Sequence, residues 1–311
     1  MADTVEMYTI SSEKFGRFVR YEISDDDTEG SVAIIPDYGG MVHSLSLNLD
    51  GTLHQVLESD PTDEAILKSN FYRGAKLLPW PNRIRDGCYV FQGNTYSLPV
   101  NDPERNAALH GLLYNKRMEV LETRTDKHRG LLILGYEFDG SDPGYPFNLR
   151  VELHYRLDRG GFSCETLAEN IGEQDLPFGD GWHPYFVMQK PIDELRLELP
   201  VKEEYVVDDQ MIPLGRAPFH FDGSLDTVDF DKGFLVSGKG VSKLMDPKAG
   251  KSIVLSQSDA YPFLQVYTHP SRRSISIEPM SAAADAFNSR DGLVVLKPGQ
   301  RWRGSYNVRL E

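Results

Sequence analysis

The sequence predicts an all-β protein, a single large antiparallel β-sandwich, and three observations support this fold class. Apolar and polar residues alternate without a break from 147 to 157, the period of a half-buried strand. Glycine- and proline-bearing turns are spread evenly along the chain, with no obvious linker. No segment has the pattern of a strand, a helix and a second strand that builds a parallel sheet. Since β-sandwiches reach this length as one unit, we expect one domain over residues 1–311.

The predicted elements follow the chain in order. Strand 45–49 ends at Asp50-Gly51, and strand 89–91 follows Asp86-Gly87; both dipeptides indicate hairpin turns because both turn positions need a positive φ. Asp60-Pro61-Thr62-Asp63-Glu64 indicates the cap of a short helix, with Pro61 at its first position. Strand 147–157 turns at 158–161 and pairs with 162–166. Further strands are predicted at 195–199 and 275–277.

Composition excludes several classes of partner and site. The chain has 33 Lys and Arg against 47 Asp and Glu, a net charge of −14, which repels nucleic acid and anionic membranes. Two cysteines, Cys88 and Cys164, are too few for a disulfide scaffold or a cysteine-rich metal site. The first 15 residues lack the pattern of a signal peptide, and no apolar stretch is long enough to span a bilayer. We therefore expect a cytoplasmic protein.

An arginine in a proline-rich stretch is the first candidate for a site residue. Pro79 and Pro81 precede Asn82-Arg83, a composition that indicates a rigid loop presenting one guanidinium group. Arginine suits a cluster of sugar hydroxyls because its planar fork offers several donors. The alternative is an ion pair between Arg83 and a surface carboxylate.

Two histidines and one glutamate complete the candidate set. His110 and His183 each lie beside a glycine or proline, in turn-like settings that can direct an imidazole into a cleft. Glu278 ends the alternating strand 275–277, and Pro279 is expected to stop ladder pairing, so that Glu278 leaves the sheet. The alternatives are packing histidines and an exposed glutamate at a strand end.

The chain resembles the aldose 1-epimerase (galactose mutarotase) family in segments that occur in the family's order. These segments are Leu78-Pro79-Trp80-Pro81-Asn82-Arg83-Ile84, Leu109-His110-Gly111, Gly181-Trp182-His183-Pro184-Tyr185-Phe186, Ile277-Glu278-Pro279-Met280, and Asp285-Ala286-Phe287-Asn288 with Leu296-Lys297-Pro298-Gly299. The resemblance runs from about residue 30 to the C-terminus. It implies a galactose mutarotase-like supersandwich with a sugar cleft across one sheet.

The resemblance also implies roles for individual residues. Glu278 is expected to be the general base and His183 the general acid. The residues expected to bind the substrate are Arg83, His110, Asp231 and Asn82. Asp231 precedes a phenylalanine by three positions, as the family's sugar-binding aspartate does, and Asp229 and Asp226 remain alternatives.

Four aromatic residues of these segments are candidates for a platform under a sugar ring. They are Trp80, Trp182, Tyr185 and Phe287. Each can instead belong to the core, and for Tyr185 and Phe287 the core is the favoured interpretation. The chain departs from galactose-acting members at Leu112, where a second glycine is common, so the resemblance does not specify galactose.

The predicted function is interconversion of the α and β anomers of a free aldose, an isomerase reaction that needs one acid and one base. A monosaccharide is the expected partner, with no cofactor and no metal, in a monomer or a homodimer. Two alternatives stay open: a mutarotase for a phosphorylated or acidic sugar, and a non-catalytic carbohydrate-binding protein on the same fold.

Overall fold

Strands dominate the computed structural model, which describes residues 7–311. Residues 7–170 contain thirteen strands: β1 Tyr8–Phe15, β2 Phe18–Asp25, β3 Ser31–Ile35, β4 Met41–Leu49, β5 Thr52–Gln55, β6 Arg83–Arg85, β7 Cys88–Phe91, β8 Asn94–Ser97, β9 Ala107–Leu109, β10 Glu119–Thr125, β11 Arg129–Asp139, β12 Asn148–Asp158 and β13 Gly161–Asn170. The remaining strands are β14 Leu176–Phe178, β15 Tyr185–Phe186, β16 Arg196–Glu198, β17 Val201–Val207, β18 Pro213–Pro218, β19 Asp222–Ser224, β20 Asp231–Val236, β21 Val241–Asp246, β22 Lys251–Gln257, β23 Phe263–Thr268, β24 Ile275–Met280, β25 Val294–Leu296 and β26 Arg301–Leu310. The helices are α1 Asp63–Lys68 and α2 Ala286–Ser289, with short 3-10 turns at Pro36–Tyr38 and Ile192–Glu194.

Two large sheets form the sandwich. The first has nine strands in the order β10-β11-β12-β13-β26-β22-β21-β16-β19, and the second has six in the order β15-β24-β23-β20-β17-β18. A five-stranded sheet, β1 to β5 in sequence order, and three two-stranded sheets complete the fold. The strands of the two large sheets pair antiparallel throughout the described chain.

One hydrophobic cluster joins the two large sheets. Tyr155 of β12 belongs to it, as do Val266 of β23 and Ile277 of β24, and all are buried. Trp182, which precedes β15, stacks on Tyr306 of β26 with 4.6 Å between ring centroids. Alternation along each strand turns one set of side chains into this core, because successive residues face opposite sides of a sheet. The predicted all-β antiparallel sandwich is confirmed.

Several elements agree closely with the sequence predictions. The strand predicted at 147–157 is β12, shifted by one residue, and it pairs with β13 from Asp158 opposite Gly161. Asp50 and Gly51 have φ values of 53° and 78° and join β4 to β5 as a hairpin. Strand 195–199 shortens to the three residues of β16.

Two local predictions are wrong, and each has a physical reason. Helix α1 begins after Pro61, because the Thr62 hydroxyl accepts a hydrogen bond from Ala65 N at 3.1 Å and caps the helix. The turn at 86–87 does not join a hairpin, because β6 pairs with β9 on one edge. The other edge of β6 is bonded to Asp285. The Asp285 carboxylate accepts from Arg85 N, and the Asp285 backbone N–H donates to Arg83 O.

The five-stranded sheet packs against the nine-stranded sheet at a glycine. A methyl group built on Gly130 of β11 would lie 2.2 Å from Cγ2 of Ile23 on β2, so the close approach requires a residue without a side chain. In residues 7–311, no helix has the length and apolar character needed to cross a membrane.

Candidate active site

A cleft of about 410 Å³ collects all six of the predicted site residues. They are Asn82, Arg83, His110, His183, Asp231 and Glu278. Four neighbouring strands of the six-stranded sheet contribute to the lining: β15, β24, β23 and β20. Segments more than a hundred residues apart in sequence therefore converge on one surface.

Glu278 stays within its sheet, contrary to the prediction that Pro279 would release it. β24 continues through Pro279 to Met280, which pairs with Phe263 of β23. The carbonyl of Pro279 accepts a hydrogen bond from Trp182 N at 3.2 Å, on the side away from β23. Since the nitrogen and carbonyl of one strand residue point to the same side, the proline nitrogen also faces away from β23. The ladder between β23 and β24 thus loses no hydrogen bond.

His183 is fixed by its backbone beside Glu278. The carbonyl of His183 accepts from Gly74 N at 2.8 Å, and its N–H donates to Ala75 O at 3.0 Å. The imidazole stacks on Tyr185 with 5.1 Å between ring centroids. Its Nε2 lies 3.4 Å from Oε1 of Glu278, so an acid and a base are adjacent inside the cleft.

Burial shifts the protonation of both groups toward their neutral forms. Burial, with the nearby charge of Asp231, raises the pKa of Glu278 well above its usual range, although Ser276 and Arg83 oppose the shift. Burial also lowers the pKa of His183 to about 3, and the ring's hydrogen bond to its own backbone carbonyl only partly offsets this. Between these two limits the pair holds one proton, which belongs to both residues together.

Arg83 lines the cleft and also forms an ion pair, so both alternatives that the sequence left open are present. Its Nε donates to Oδ2 of Asp102 at 2.9 Å, and Asp102 also lies 3.7 Å from Nη1 of Arg105. Asp102 is largely buried and lines the cleft, so the partner of Arg83 is a cleft residue and not a surface carboxylate. The ion pair orients the guanidinium through Nε, and Nη1 donates to Oδ1 of Asn82 at 3.4 Å.

Asn82 and His110 share an uncommon backbone conformation. Their φ values are 57° and 64°, in the left-handed region that few residues other than glycine adopt. His110 N donates to Asn82 O at 2.9 Å, which ties the two strained residues together. Such strain typically costs about 1–3 kcal/mol and is concentrated at functional sites.

His110 presents a neutral imidazole to the cleft. Burial, followed by the neighbouring His183 and Arg83, lowers its pKa well below the usual value. Its Nδ1 is buried and has no hydrogen-bond partner within residues 7–311. A buried polar atom of this kind is available to a ligand hydroxyl.

The structure distinguishes among the three candidate aspartates. Asp231 lines the cleft and accepts from Gln265 Nε2 at 3.0 Å. Asp229 is exposed and accepts from Arg272 at 2.5 Å, and Asp226 is exposed; neither belongs to the cleft lining. Of the three aspartates, only Asp231 lines the cleft together with Glu278.

Gln265 is a cleft residue that the sequence analysis missed. Its side-chain nitrogen holds Asp231, and its oxygen accepts from Asn82 Nδ2 at 3.3 Å. It lies opposite Glu278 in the pairing of β23 with β24. In the sequence, Gln265 differs from other residues only as a glutamine within a mainly apolar strand. Its place in the cleft follows from the pairing of β23 with β24, which the sequence does not show.

The aromatic lining differs from the predicted platform. Trp80, Trp182 and Phe287 are core residues, whereas Tyr185 lines the cleft although the core was its favoured place. The other aromatic lining residues, which the sequence analysis missed, are Phe71, Tyr72 and Tyr267. In the described part of the chain, no group of three or more His, Cys, Asp or Glu is arranged to hold a metal ion.

A family model and individual relatives of known sequence indicate the same protein family. The family model described as aldose 1-epimerase matches residues 21–309. The uncharacterized protein YihR of Escherichia coli is 30% identical over 251 residues, covering 76% of this chain and 78% of that protein. The aldose 1-epimerase of the same organism is 23% identical over 267 residues, covering 77% of this chain and 75% of its own length.

Solved structures share the fold. A galactose mutarotase-like protein from Clostridium acetobutylicum superposes with a TM-score of 0.88 at 21% identity, covering 98% of both chains. Galactose 1-epimerase from Lactobacillus acidophilus gives a TM-score of 0.81 at 18% identity, covering 98% of this chain and 99% of that one.

Proposed function

The chain belongs to the aldose 1-epimerase family, and we propose that it is a mutarotase that interconverts the α and β anomers of a free aldose. One observation carries the proposal: a buried carboxylate and a buried imidazole lie 3.4 Å apart in a cleft lined by polar groups. Ring opening acts on two oxygens of one carbon, so an acid and a base must act side by side.

The proposed reaction conserves protons and needs no covalent intermediate. The Glu278 carboxylate removes the proton from the anomeric hydroxyl while His183 gives a proton to the ring oxygen. The bond between the anomeric carbon and the ring oxygen breaks, and an open-chain aldehyde forms. Rotation about the adjacent carbon–carbon bond exposes the other face, and the same two transfers run backwards. Oε2 of Glu278, buried and unpartnered within the described chain, is the oxygen free to accept the proton.

The remaining cleft residues are proposed to hold the sugar. The guanidinium of Arg83 and the amide of Asn82 supply donors to hydroxyl oxygens, and Asp231 supplies an acceptor. His110 is neutral and can donate or accept through its unpartnered Nδ1.

A free aldose fits the charge of the cleft better than an acidic sugar. Binding an anionic group favours two or more available cationic groups. The two arginines of the lining, Arg83 and Arg105, both lie against Asp102, and Glu104 is also within 3.7 Å of Arg105. Their charges are therefore already balanced. We also propose a cytoplasmic location, since the unpaired Cys88 and Cys164 suit a reducing compartment.

Anomer exchange measured on the purified protein tests this function. Freshly dissolved α-aldoses, sugar phosphates and uronic acids would be followed by polarimetry or by NMR exchange spectroscopy. We expect acceleration with free aldoses, and a kcat that is lower by roughly 10²–10⁴-fold in E278Q. E137Q is the matched control, because Glu137 lies exposed on β11 and pairs with Arg150.

Three results would contradict the proposal. Full activity of E278Q would remove Glu278 from its role. Faster exchange with sugar phosphates than with free aldoses would favour the acidic substrate, and saturable sugar binding without any exchange would favour a carbohydrate-binding protein.

A further inference from the structure

A serine hydroxyl lies between the carboxylate and the imidazole of the active site. Oγ of Ser276 is 3.1 Å from Nδ1 of His183 and 3.3 Å from Oε1 of Glu278. Ser276 and Glu278 are two positions apart on β24, so both face the same side of the sheet. Ile275 and Ile277 face the core. The hydroxyl is thus built into the strand that carries the base.

Ser276 does not belong to the cleft lining and is fully buried behind the pair. Its backbone is fixed from both sides, because it lies opposite Tyr185 of β15 and Tyr267 of β23. It therefore acts on the two reacting groups and not on the sugar. We propose that Ser276 is a positioning residue that selects the tautomer of His183 and orients the carboxyl group of Glu278; this rests on the proposed function.

The hydroxyl has one proton, and the chemistry of its neighbours assigns the direction of each bond. Donation from Ser276 to Oε1 of the Glu278 carboxyl group leaves a lone pair on the hydroxyl oxygen to accept from Nδ1–H of His183. This chain of donors fixes the proton on Nδ1 and leaves Nε2 as the nitrogen that exchanges a proton with the substrate. Ser276 thereby orients the imidazole of His183, as a buried hydrogen-bond acceptor orients the imidazole of a catalytic triad.

Loss of the hydroxyl has a specific expected effect on kinetics. A hydrogen bond to a charged group is worth enough to change a rate by roughly 10- to 100-fold, so kcat of S276A should fall by that factor. KM should stay within about twofold of the wild-type value, because Ser276 does not touch the sugar. Donation to a carboxylate favours its charged form. Without the hydrogen bond from Ser276, the pKa of Glu278 should rise, and the alkaline limb of the pH profile should therefore move to higher pH.

Two variants make the kinetic test selective. S276T keeps a hydroxyl on the same β-carbon, and should recover most of the lost kcat. S274A is the matched control: Ser274 is also fully buried, but its hydroxyl donates to Glu58 at 2.5 Å, away from the pair. Circular dichroism and thermal melting would establish that all three fold. Equal kcat losses in S276A and S274A, or no recovery in S276T, would overturn the inference.

A spectroscopic measurement tests the tautomer without using activity. Long-range ¹H–¹⁵N correlation spectra of histidine-labelled protein, with His183 assigned through H183N, should show an Nδ1–H pattern in the wild type and a mixture in S276A. An Nε2–H pattern in the wild type would overturn the inference even if every variant misfolded. If the wild type failed to exchange anomers, the proposed function would fail while the spectrum still decided the role of Ser276.

Discussion

At the scale of residues, Glu278 and His183 are the proposed acid–base pair, and neither is ionised independently of the other. Both are almost fully buried, and their nearest polar atoms are 3.4 Å apart. Coupled groups at this distance titrate in two steps that belong to the pair. In the proposed reaction, the ring opens from the tautomer of the singly protonated pair in which the proton lies on the imidazole, so that a carboxylate is the base and an imidazolium is the acid.

The pH dependence of kcat/KM follows from these shifts. Below a pH of about 3, the lowered pKa of His183, the pair takes up a second proton and loses its base. Above the pKa of Glu278, which burial raises well beyond its usual value, the pair loses its only proton and with it the acid. We expect activity to be retained down to pH 4 and to fall on the alkaline side. Rates corrected for uncatalysed exchange would show this, and an acid limb near pH 6 would contradict it.

Substrate binding should depend on the shape of the Arg83 group and not only on its charge. In R83K the ammonium cannot keep the contact with Asp102 and offer further donors in one plane. We expect KM to rise by roughly 10- to 100-fold, the loss of a charge-assisted hydrogen bond, with a smaller change in kcat. Calorimetric titration with a non-reacting 1,5-anhydro sugar would measure the same loss directly.

R85K is the control for this prediction. Arg85 is on the same short strand, but it bonds to Asp208 and Gln210 and lies outside the cleft lining. Equal effects of R83K and R85K on sugar binding would contradict the proposed role of Arg83.

At this scale, the sequence predicted those cleft residues that have unusual neighbours in the chain. His110 and His183 lie beside glycine or proline, and the structure brings both into the cleft. Gln265 and Tyr72 were missed because their places depend on which strands and loops become neighbours. The expected departure of Glu278 from the sheet was wrong, since the sequence does not show which side of β24 the Pro279 nitrogen faces.

At the scale of elements, a buried ion pair joins the segments that carry the site. Nζ of Lys76 lies 2.9 Å from Asp180, and both side chains are fully buried. Asp180 also accepts from the Tyr261 hydroxyl at 2.7 Å, and its backbone N–H donates to Ser281 Oγ at 2.8 Å. These contacts connect the segment before Arg83, the segment of His183 and the end of β24.

Replacing one member of this pair should be costly for stability. In K76M the Asp180 carboxylate loses its counter-charge in the core, and we expect the free energy of unfolding to fall by about 3–5 kcal/mol. The double variant K76M/D180L should recover part of this loss, because it leaves no unpaired buried charge. Urea denaturation would measure both.

The exposed pair of Lys243 and Glu311, 3.4 Å apart, provides the comparison. K243M should change the free energy of unfolding by no more than about 1 kcal/mol, since surface ion pairs contribute little. A loss in K76M as small as that in K243M would contradict the structural role of the buried pair.

Prediction of elements succeeded where the pattern was long. The hairpin of β12 and β13 has unbroken alternation and a glycine-rich turn, and its register follows from these alone. The three-residue strands β6 and β9 have too few positions to show a period, and their pairing is set by contacts distant in sequence. The conformation of the turn at 86–87 was predicted, but its partner strands were not.

At the scale of the whole molecule, the attachment of the five-stranded sheet depends on space at Gly130. The added methyl of G130A would lie 2.2 Å from Cγ2 of Ile23, so either the Ile23 side chain or the two sheets must shift. We expect a loss of about 1–3 kcal/mol, typical of overpacking in a core. G215A is the control, because nothing lies within 4 Å of its added methyl. Equal melting temperatures for the two variants would contradict this packing.

The order of strands is the part of the molecule that local patterns do not contain. β26, near the C-terminus, lies between β13 and β22, and β24 lies between β15 and β23. These neighbours are chosen by burial of shared apolar faces over long distances in sequence, which no window of the sequence records. Alternation indicates the fold class, whereas contacts between distant segments determine the arrangement of the sheets.

The shared proton of Glu278 and His183 also bears on how turnovers follow one another. In the proposed reaction, ring opening moves one proton onto the carboxylate and one off the imidazole, and ring closure on either face reverses both transfers. Each product therefore leaves the enzyme as the next substrate will find it, with nothing to be exchanged with bulk water. Successive turnovers should consequently proceed at the same speed in dilute and in concentrated buffer.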